Sequence, residues 1–374
     1  MEKWIGISRL PCALKNAGAD VYILCPKNSY IAKTRFFNVR GRYRTYTYSR
    51  SKLVYFTILF FLLRFKSDLI IPGDEEALFA LQNLANILSN NPFLSGISRQ
   101  IRQSIGEAEF DQVRLSKSLF MQACKQWRIR SPQNESLRTI EEAVGLAKQW
   151  GYPVVLKSNF GYGASGVSVC QNEAELIEAF LRFTKTSIIS KLRAFLKSIF
   201  FIIPQGDGLS LQRYIDGSIG LVPFIAYRGQ ILGANPMLKH RTYPGATGPS
   251  SVCKGIDSPE ILEMVTQVCK SMRYTGFGSL DFIIDSETDK PYIIELNPRP
   301  VPTSHFGSKY CSVDLCDSLI KKMQGKFLPA NKFRPFLVAL FPNEKKRDPQ
   351  SPFLKEAFHD VPYDDPALMA SLDS

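Results

Sequence analysis

The 374-residue sequence is 45% hydrophobic, which is enough to bury a sizeable core divided among two or three subdomains. Its formal net charge of +13 is typical of proteins that bind nucleic acid, acidic lipid or a polyphosphate substrate. The sequence has no zinc-finger, RRM-like or KH-like signature, which argues against nucleic acid. The longest apolar run, Leu53 to Leu63, is shorter than the roughly 20 residues that span a bilayer, which indicates a soluble or peripheral protein.

The eight cysteines form no CxxC pair, and no signal peptide precedes them. This pattern predicts reduced thiols in a cytoplasmic protein. The three histidines lack metal-ligand spacing, which argues against a zinc site.

The first part of the chain alternates helices and strands, which predicts a small parallel sheet. We expect a helix at Arg9–Ala19, a strand at Val21–Leu24, a second buried strand at Leu69–Ile71 and a helix from Glu75. The aromatic, basic segment Arg35–Phe65 is predicted to form a strand followed by a helix. The usual opening strand of such a unit is missing or very short, so we expect a truncated start.

The middle of the chain has the pattern of an α+β lobe. A helix is predicted at Phe110–Trp127, and a second one at Thr139–Trp150 leads into the strand Val154–Lys157. A glycine-rich stretch and another strand, Val167–Cys170, follow, and Asn172 is predicted to cap the next helix.

Gly161, Gly163 and Gly166 satisfy the weak pattern GxGxxG. A dinucleotide site would require a helix directly after this loop, but a strand follows it. The loop lacks the Gly-Lys-Ser/Thr ending of a Walker A motif, and Lys157 precedes it, unlike the lysine of a protein kinase. What remains is a glycine hairpin that can close backbone N–H groups over phosphate oxygens, next to a lysine that can reach the same phosphates. The alternative is an ordinary glycine-rich turn beside an exposed lysine.

Residues 188–203 predict a basic amphipathic helix, with Lys191, Arg193 and Lys197 mostly outside its apolar stripe. Such a helix can lie on a membrane surface, although a core-packing helix with a solvated face is the favoured interpretation. Further on, Ser210–Ile215 predicts a strand, Val222–Tyr227 and Gln230–Ala234 predict a hairpin, and Lys239–Ser251 predicts a polar loop.

Residues 278–300, GSLDFIIDSETDKPYIIELNPRP, predict two antiparallel strands joined by a short turn. With the turn centred near Thr288, Asp281 lies opposite Glu295, and Asn297 follows on the same face. Two carboxylates about 5 Å apart repel each other, unless a hard divalent cation lies between them. The sequence therefore predicts either a site for a hard divalent cation or an exposed hairpin whose acids never meet.

Three motifs in order resemble the ATP-grasp superfamily and its carbamoyl-phosphate-synthase-like ATP-binding region. They are Lys157 with its glycine loop, the segment 211–217 (LQRYIDG), and Asp281 followed by 295–300 (ELNPRP). The resemblance covers about Phe110 to Met323. It implies a mixed α/β and α+β fold, in which a small parallel pre-ATP-grasp sheet precedes a two-lobed ATP-grasp domain. We expect 1–108 to form the pre-ATP-grasp domain, 109–208 the small lobe, 209–330 the large lobe and 331–374 a tail.

The resemblance also implies site residues. Lys157 would hold the nucleotide phosphates under a mobile cover that includes Gly161, Gly163, Ser165 and Gly166. The strand residues Gln212, Arg213, Tyr214 and Ile215 would pair with the adenine edge, and Asp216 would contact the ribose. Asp281, Glu295 and Asn297 would hold Mg²⁺, or Mn²⁺ in its place. Arg299 would steady the transferring phosphoryl group or the acyl phosphate, and Arg241 is a second candidate for that role.

The sequence departs from the family pattern in two places. Many members have an Asp-Lys pair before the first lobe, where this chain has Asp111-Gln112, so Arg114 or Lys117 would have to substitute. The hinge has Gln-Arg-Tyr where an acidic residue is common, which puts the adenine and ribose contacts in doubt.

The expected function is an ATP- and Mg²⁺-dependent ligase that joins a small-molecule carboxylate to an amine in the cytoplasm. We expect no nucleic-acid partner, and membrane contact only through 188–203. Thr303, Ser304 and His305 are expected to face the acceptor substrates. Two alternatives stay open: an ATP-grasp kinase or phosphotransferase, and a non-catalytic, membrane-associated ATP-binding regulator.

Overall fold

The computed structural model describes residues 7–43, 53–158, 166–184, 208–245, 248–307, 310–326 and 332–373. No helix in these ranges is long and apolar enough to cross a membrane. The predicted helix 188–203 lies outside them.

The N-terminal unit contains a parallel pair of strands with helices around it. Tyr22 pairs with Val39, and the register continues to Pro26 and Tyr43. The elements are α1 (Leu10–Asn16), β1 (Tyr22–Pro26), β2 (Val39–Tyr43), α2 (Leu53–Arg64), α3 (Glu75–Ser89) and α4 (Ser95–Ile105). The predicted parallel sheet and the strand and helix within 35–65 are confirmed.

The strand predicted at Leu69–Ile71 is wrong. These residues are only half-buried and belong to no strand of the described sheets. The N–H of Ile70 donates to Ser104 Oγ at 3.0 Å, so a side chain of α4 takes the place of a neighbouring strand. A cavity of about 720 Å³ lies between this segment and β1, and no residue of the acidic hairpin 276–297 lines it.

A short pair of helices leads into the next unit. Ser116 ends the helical backbone with ψ of 117° and caps the second helix by accepting from Leu119 N–H, so the single helix predicted at Phe110–Trp127 is divided. A four-stranded sheet follows in the spatial order β3-β6-β4-β5. The elements are α5 (Asp111–Leu115), α6 (Lys117–Gln126), β3 (Asn134–Leu137), α7 (Ile140–Trp150), β4 (Val154–Ser158), β5 (Val167–Cys170), α8 (Glu173–Thr184) and β6 (Leu209–Arg213).

Helices α7 and α8 each have an apolar face and a charged face, and their apolar faces pack on this small sheet. Leu176 and Ala147 are fully buried against Leu156 and Leu211 of the central strands. As predicted, Asn172 caps α8 by accepting from Glu175 N–H at 3.0 Å.

The large sheet contains eight strands in the described part of the chain, in the order β12-β11-β7-β9-β10-β13-β14, with β8 paired to β7. The predicted hairpin turns at Arg228 and Gly229, which both have positive φ. The elements are β7 (Gly217–Tyr227), β8 (Gln230–Ala234), β9 (Met237–Thr242), β10 (Ser250–Gly255), α9 (Pro259–Ser271), β11 (Gly276–Asp285), β12 (Pro291–Asn297), α10 (Leu315–Met323), β13 (Leu337–Leu340), α11 (Asn343–Arg347), α12 (Phe353–Glu356), β14 (Phe358–Asp360) and α13 (Pro366–Asp373).

Apolar clusters on both faces hold the large sheet in place. Helices α6 and α9 cover one face, where Phe120 and Val265 pack with Phe282. Helix α10 and the N-terminal unit cover the other, where Leu10 and Leu319 share a cluster with strand residues. The hairpin β11–β12 therefore has a fixed position, because both faces of its sheet are covered.

Candidate active site

The hairpin β11–β12 places the two candidate metal-binding acids opposite each other. Asp281 pairs with Glu295 and Ser279 with Asn297, which confirms the register predicted from the sequence. The register shifts directly after Asp281, where Phe282 pairs with Ile293. Asn297 Nδ2 donates to Asp281 Oδ1 at 3.1 Å, so the amide and one carboxylate are already in contact.

Three lysines from three different elements surround these acids. Lys117 Nζ, at the start of α6, lies 3.0 Å from Glu295 Oε1. Lys239 Nζ, on β9, lies 3.0 Å from Asp281 Oδ2. Lys157 Nζ, on β4, donates to Gln212 Oε1 at 2.7 Å and to the Ile294 carbonyl at 3.3 Å. The site therefore holds two carboxylates and three ammonium groups. The excess of positive charge allows it to bind a polyanion.

Burial and charge shift the pKa values of these groups in different directions. Burial lowers the pKa of Lys157 to about 8, although Glu295 acts to raise it. Burial would also lower the pKa of Lys239, but contact with Asp281 raises it above the ordinary lysine value. Burial would raise the pKa of Glu295, but Lys117 and Lys157 lower it below the usual glutamate value. Glu295 is therefore ionised at neutral pH.

The donor set fits Mg²⁺ bound together with a polyphosphate. No group of three His, Cys, Asp or Glu side chains converges among the described residues, which argues against a site built from protein ligands alone. Two carboxylates and an amide oxygen suit Mg²⁺, which keeps waters and takes phosphate oxygens. Ser279 Oγ, two residues before Asp281 on the same strand face, is buried without a hydrogen-bond partner in the described structure. An unsatisfied buried hydroxyl at this point is consistent with a polar ligand.

Arg299 lies at the end of the hairpin and is held from the N-terminal unit. Its Nε donates to Glu75 Oε1 at 2.7 Å, and its Nη2 lies 3.4 Å from Asn297 Oδ1. Only 6% of Arg299 is exposed. Glu75 is the first residue of α3, so the N-terminal unit contributes directly to the position of this guanidinium.

The predicted hinge links the two sheets. Strand β6 ends at Arg213, whose N–H donates to the Gln133 carbonyl, and residues 214–216 then lead into β7. Gln212 is buried, and its side chain contacts Lys157. Asp216 Oδ2 accepts from Ser286 Oγ at 3.1 Å and Asp216 Oδ1 accepts from Tyr214 Oη at 3.4 Å, while Ile215 is half-buried between them. The candidate ribose partner is therefore tied to the turn of the acidic hairpin.

Some residues predicted for the site lie outside the described residues or make contacts away from the acidic hairpin. Gly161, Gly163 and Ser165 lie outside the described residues, and Gly166 is buried next to β5. Arg241 lies on β9, two residues after Lys239, where its guanidinium lies 5.4 Å from the Phe353 ring centre and donates to the His240 carbonyl. These contacts direct Arg241 towards the C-terminal helix α12.

The structure distinguishes the two candidates for the missing lysine. Arg114 is buried and donates to Asp111 Oδ1 within α5 and to the carbonyl of Glu107, which lies between α4 and α5. Lys117 instead lies against Glu295. Sequence reasoning missed Lys239 and Glu75 altogether. Lys239 and Arg241 lie two residues apart on the same strand, so the sequence alone does not show which of them is near Asp281. The pairing of β9 with β7, which lies next to β11, shows that it is Lys239.

His305 contacts the C-terminal strand. Its Nε2 lies 3.0 Å from Asp360 Oδ2, and Asp360 Oδ1 accepts from Arg9 Nη1 at 2.6 Å. Thr303 and Ser304 are buried in the same loop. His305 thus takes part in a contact between the N-terminal helix, the loop after the hairpin and β14.

Comparison with known proteins places this geometry in a family context. Residues 116–199 and 246–331 match the family model described as "Carbamoyl-phosphate synthase L chain, ATP binding domain". The chain is 25% identical over 221 residues to the carbamoyl phosphate synthase large chain of Xylella fastidiosa, covering 56% of this chain and 19% of that one. It therefore spans about a fifth of the length of the curated relatives it matches.

Two solved structures share the fold over most of the chain. The biotin carboxylase domain of Hydrogenobacter thermophilus 2-oxoglutarate carboxylase, solved as a dimer with MgADP, ADP and bicarbonate, has a TM-score of 0.64 at 19% identity and covers 90% of this chain and 72% of its own. The N5-carboxyaminoimidazole synthetase of Staphylococcus aureus, complexed with ADP, has a TM-score of 0.62 at 16% identity and covers 89% and 79%. The expected fold class is confirmed.

Proposed function

We propose that the chain has an ATP-grasp domain and is an ATP- and Mg²⁺-dependent ligase that joins a carboxylate to an amine. The carboxylate is activated as an acyl phosphate, and the amine then attacks its carbonyl carbon and releases phosphate. The observation that carries the proposal is the convergence of Asp281 and Glu295 with Lys117, Lys157 and Lys239. Phosphoryl transfer requires positioned charge more than covalent chemistry, and these groups supply it.

Each residue has a role that follows from its position. Asp281, Glu295 and Asn297 would hold Mg²⁺ or Mn²⁺. Either cation would neutralise phosphate charge when bound. Lys157 and Lys117, now near Glu295, would turn to the nucleotide phosphates. Because both ammonium groups are desolvated by the surrounding strands, their attraction to phosphate is stronger than at an exposed surface.

The remaining groups orient the reactants. Arg299, fixed by Glu75, would steady the transferring phosphoryl group, and Arg241 stays a weaker candidate because it faces Phe353. Lys239 is a further cation for the carboxylate substrate or the acyl phosphate. Backbone groups of 212–215 would pair with the adenine edge, Asp216 with the ribose, and the segment Gly161–Gly166 would cover the phosphates.

The domain boundaries near 108 and 208 also remain a proposal, whereas β13 and β14 continue the large sheet beyond residue 330. Membrane contact through 188–203 stays a prediction. Dimerisation is an open proposal as well, and the biotin carboxylase domain from Hydrogenobacter thermophilus offers a precedent for it.

Acyl-phosphate trapping tests the proposal. The protein is incubated with MgATP, hydroxylamine and a panel of carboxylic acids, including bicarbonate, and ADP and hydroxamate are measured. We expect acid-dependent ADP release for at least one acid, with hydroxamate formation where the acid is organic. An acid-stable phosphorylated hydroxyl compound as the product would instead identify a kinase. The Glu295→Gln variant is the control for contaminating ATPases.

A further inference from the structure

Helix α2 presents an apolar stripe to solvent. Phe56 and Phe60 are each 71% exposed, and Leu63 is 51% exposed. Their spacing of four and three residues places them on one side of the helix. On the other side, Val54 and Leu62 are buried against the N-terminal unit. The helix is therefore apolar on both sides, and only the inner one is covered in the described part of the chain.

A further exposed aromatic residue lies in the turn between α3 and α4. Phe93, between α3 and α4, is 93% exposed, and the adjacent Leu94 packs in the same cluster as Leu59 of α2. Single exposed apolar residues are ordinary on a protein surface. Several exposed apolar residues on one side of a helix are the kind of patch that marks an interaction site.

The chain that leads into this stripe is basic. The described residues 27–43 and 53–66 include seven basic residues, nine aromatic residues and no acidic residue. Arg64 and Lys66, at the end of α2, are exposed, as are Arg35 and Arg42 on the segment before it. A surface that combines exposed phenylalanines with exposed cations matches the boundary between anionic headgroups and acyl chains.

We propose that the outer side of α2 docks on an anionic membrane surface. Phe56 and Phe60 enter the headgroup–acyl boundary, while Arg64 and Lys66 contact acidic headgroups. The helix has 12 residues, too few to span a bilayer, so the contact is peripheral. This inference does not depend on the ligase activity, nor on the predicted helix 188–203.

A second copy of the chain is a poorer occupant. Pairing two α2 stripes face to face would bring together Arg64 and Lys66 of both copies, and α2 has no acidic residue to neutralise them. An anionic lipid surface removes this repulsion instead of doubling it.

Vesicle flotation tests the proposal with the full-length protein. Wild type is expected to float with phosphatidylserine–phosphatidylcholine vesicles and to remain unbound with pure phosphatidylcholine. The double variant Phe56→Ser/Phe60→Ser should reduce the bound fraction about tenfold, because the apolar anchor is removed. Arg64→Gln/Lys66→Gln should weaken binding and reduce its salt dependence. The matched control Ile177→Ser/Leu181→Ser, which changes exposed apolar residues on α8, should float like wild type.

A second measurement follows the helix itself. Tryptophan emission from a Phe56→Trp variant should shift to shorter wavelength only with anionic vesicles, and circular dichroism melts of all variants verify folding. The proposal is overturned if wild type binds neither vesicle, or if Phe56→Ser/Phe60→Ser floats like wild type. It is also overturned if sedimentation shows that the wild type is a dimer without lipid binding and that Phe56→Ser/Phe60→Ser is a monomer.

Discussion

The acidic hairpin β11–β12 and the N-terminal unit differ in how completely their residues fill space. Around the hairpin, a methyl group built on Gly220 would lie 2.2 Å from Phe282 Cζ and 2.7 Å from the Met237 carbonyl oxygen. In the N-terminal unit, a cavity of about 720 Å³ separates β1 from the segment after α2. Tight packing accompanies the groups that must be fixed in position, whereas the looser unit contributes one side chain, Glu75, to the site.

The largest expected effect tests the hairpin itself. Replacing Glu295 with Gln removes a metal-binding charge and leaves Lys117 and Lys157 without their carboxylate. We expect Mg²⁺-dependent ATP turnover to fall about 100-fold or more. Glu287→Gln, in the exposed turn of the same hairpin, should keep wild-type turnover. Equal turnover in Glu295→Gln and wild type would remove Glu295 from the metal site.

Packing around the hairpin gives the next largest effect. Gly220→Ala places a methyl group against a buried ring and a backbone oxygen, neither of which can move away easily. We expect the free energy of unfolding to fall by about 2 kcal/mol, measured by urea denaturation. A loss below the error of the measurement would mean that the hairpin is less tightly packed than the structure indicates.

The N-terminal unit acts on the site through Glu75. Glu75→Gln removes the charge that holds Arg299 and should lower the turnover rate about tenfold, an effect typical of residues that orient a catalytic group. The dissociation constant of MgATP, measured by calorimetry, should change little, because Arg299 is proposed to act on the transferring group. Asp68→Asn, an exposed acid of the same unit, is the control. A tenfold loss of MgATP affinity at an unchanged rate would contradict this role.

The two regions also differ in how much the sequence revealed. Asp281 and Glu295 were predicted to face each other because a strand's side chains alternate with period two and the turn residues fix the register. The N-terminal unit gave a wrong strand at Leu69–Ile71, since an apolar run does not reveal whether another strand lies beside it. Lys239 and Glu75 were missed for a related reason: their contacts with Asp281 and Arg299 join residues 42 and 224 positions apart.

A smaller effect concerns pH. Burial lowers the pKa of Lys157 to about 8, so it loses its proton within the assay range. MgATP affinity should therefore fall by up to about tenfold between pH 7.5 and 9, as the charged form disappears. The unfolded chain binds more protons at this lysine between pH 8 and its ordinary value, so its contribution to stability rises with pH there. A Lys157→Met variant should bind more weakly, with a flat pH profile; an equally steep profile would assign the titration to another group.

The smallest expected effect is a gain in stability from a substitution in the N-terminal unit. Gly96 is the second residue of α4, with helical backbone and open space around its Cα, so alanine can replace it without displacing a neighbour. Alanine loses less conformational freedom on folding, and Gly96→Ala should raise the free energy of unfolding by about 0.5 kcal/mol. Urea denaturation of Gly96→Ala beside Gly220→Ala then compares the two regions with the same substitution. Destabilisation by Gly96→Ala would mean that the helix cannot accept a methyl group at this exposed position.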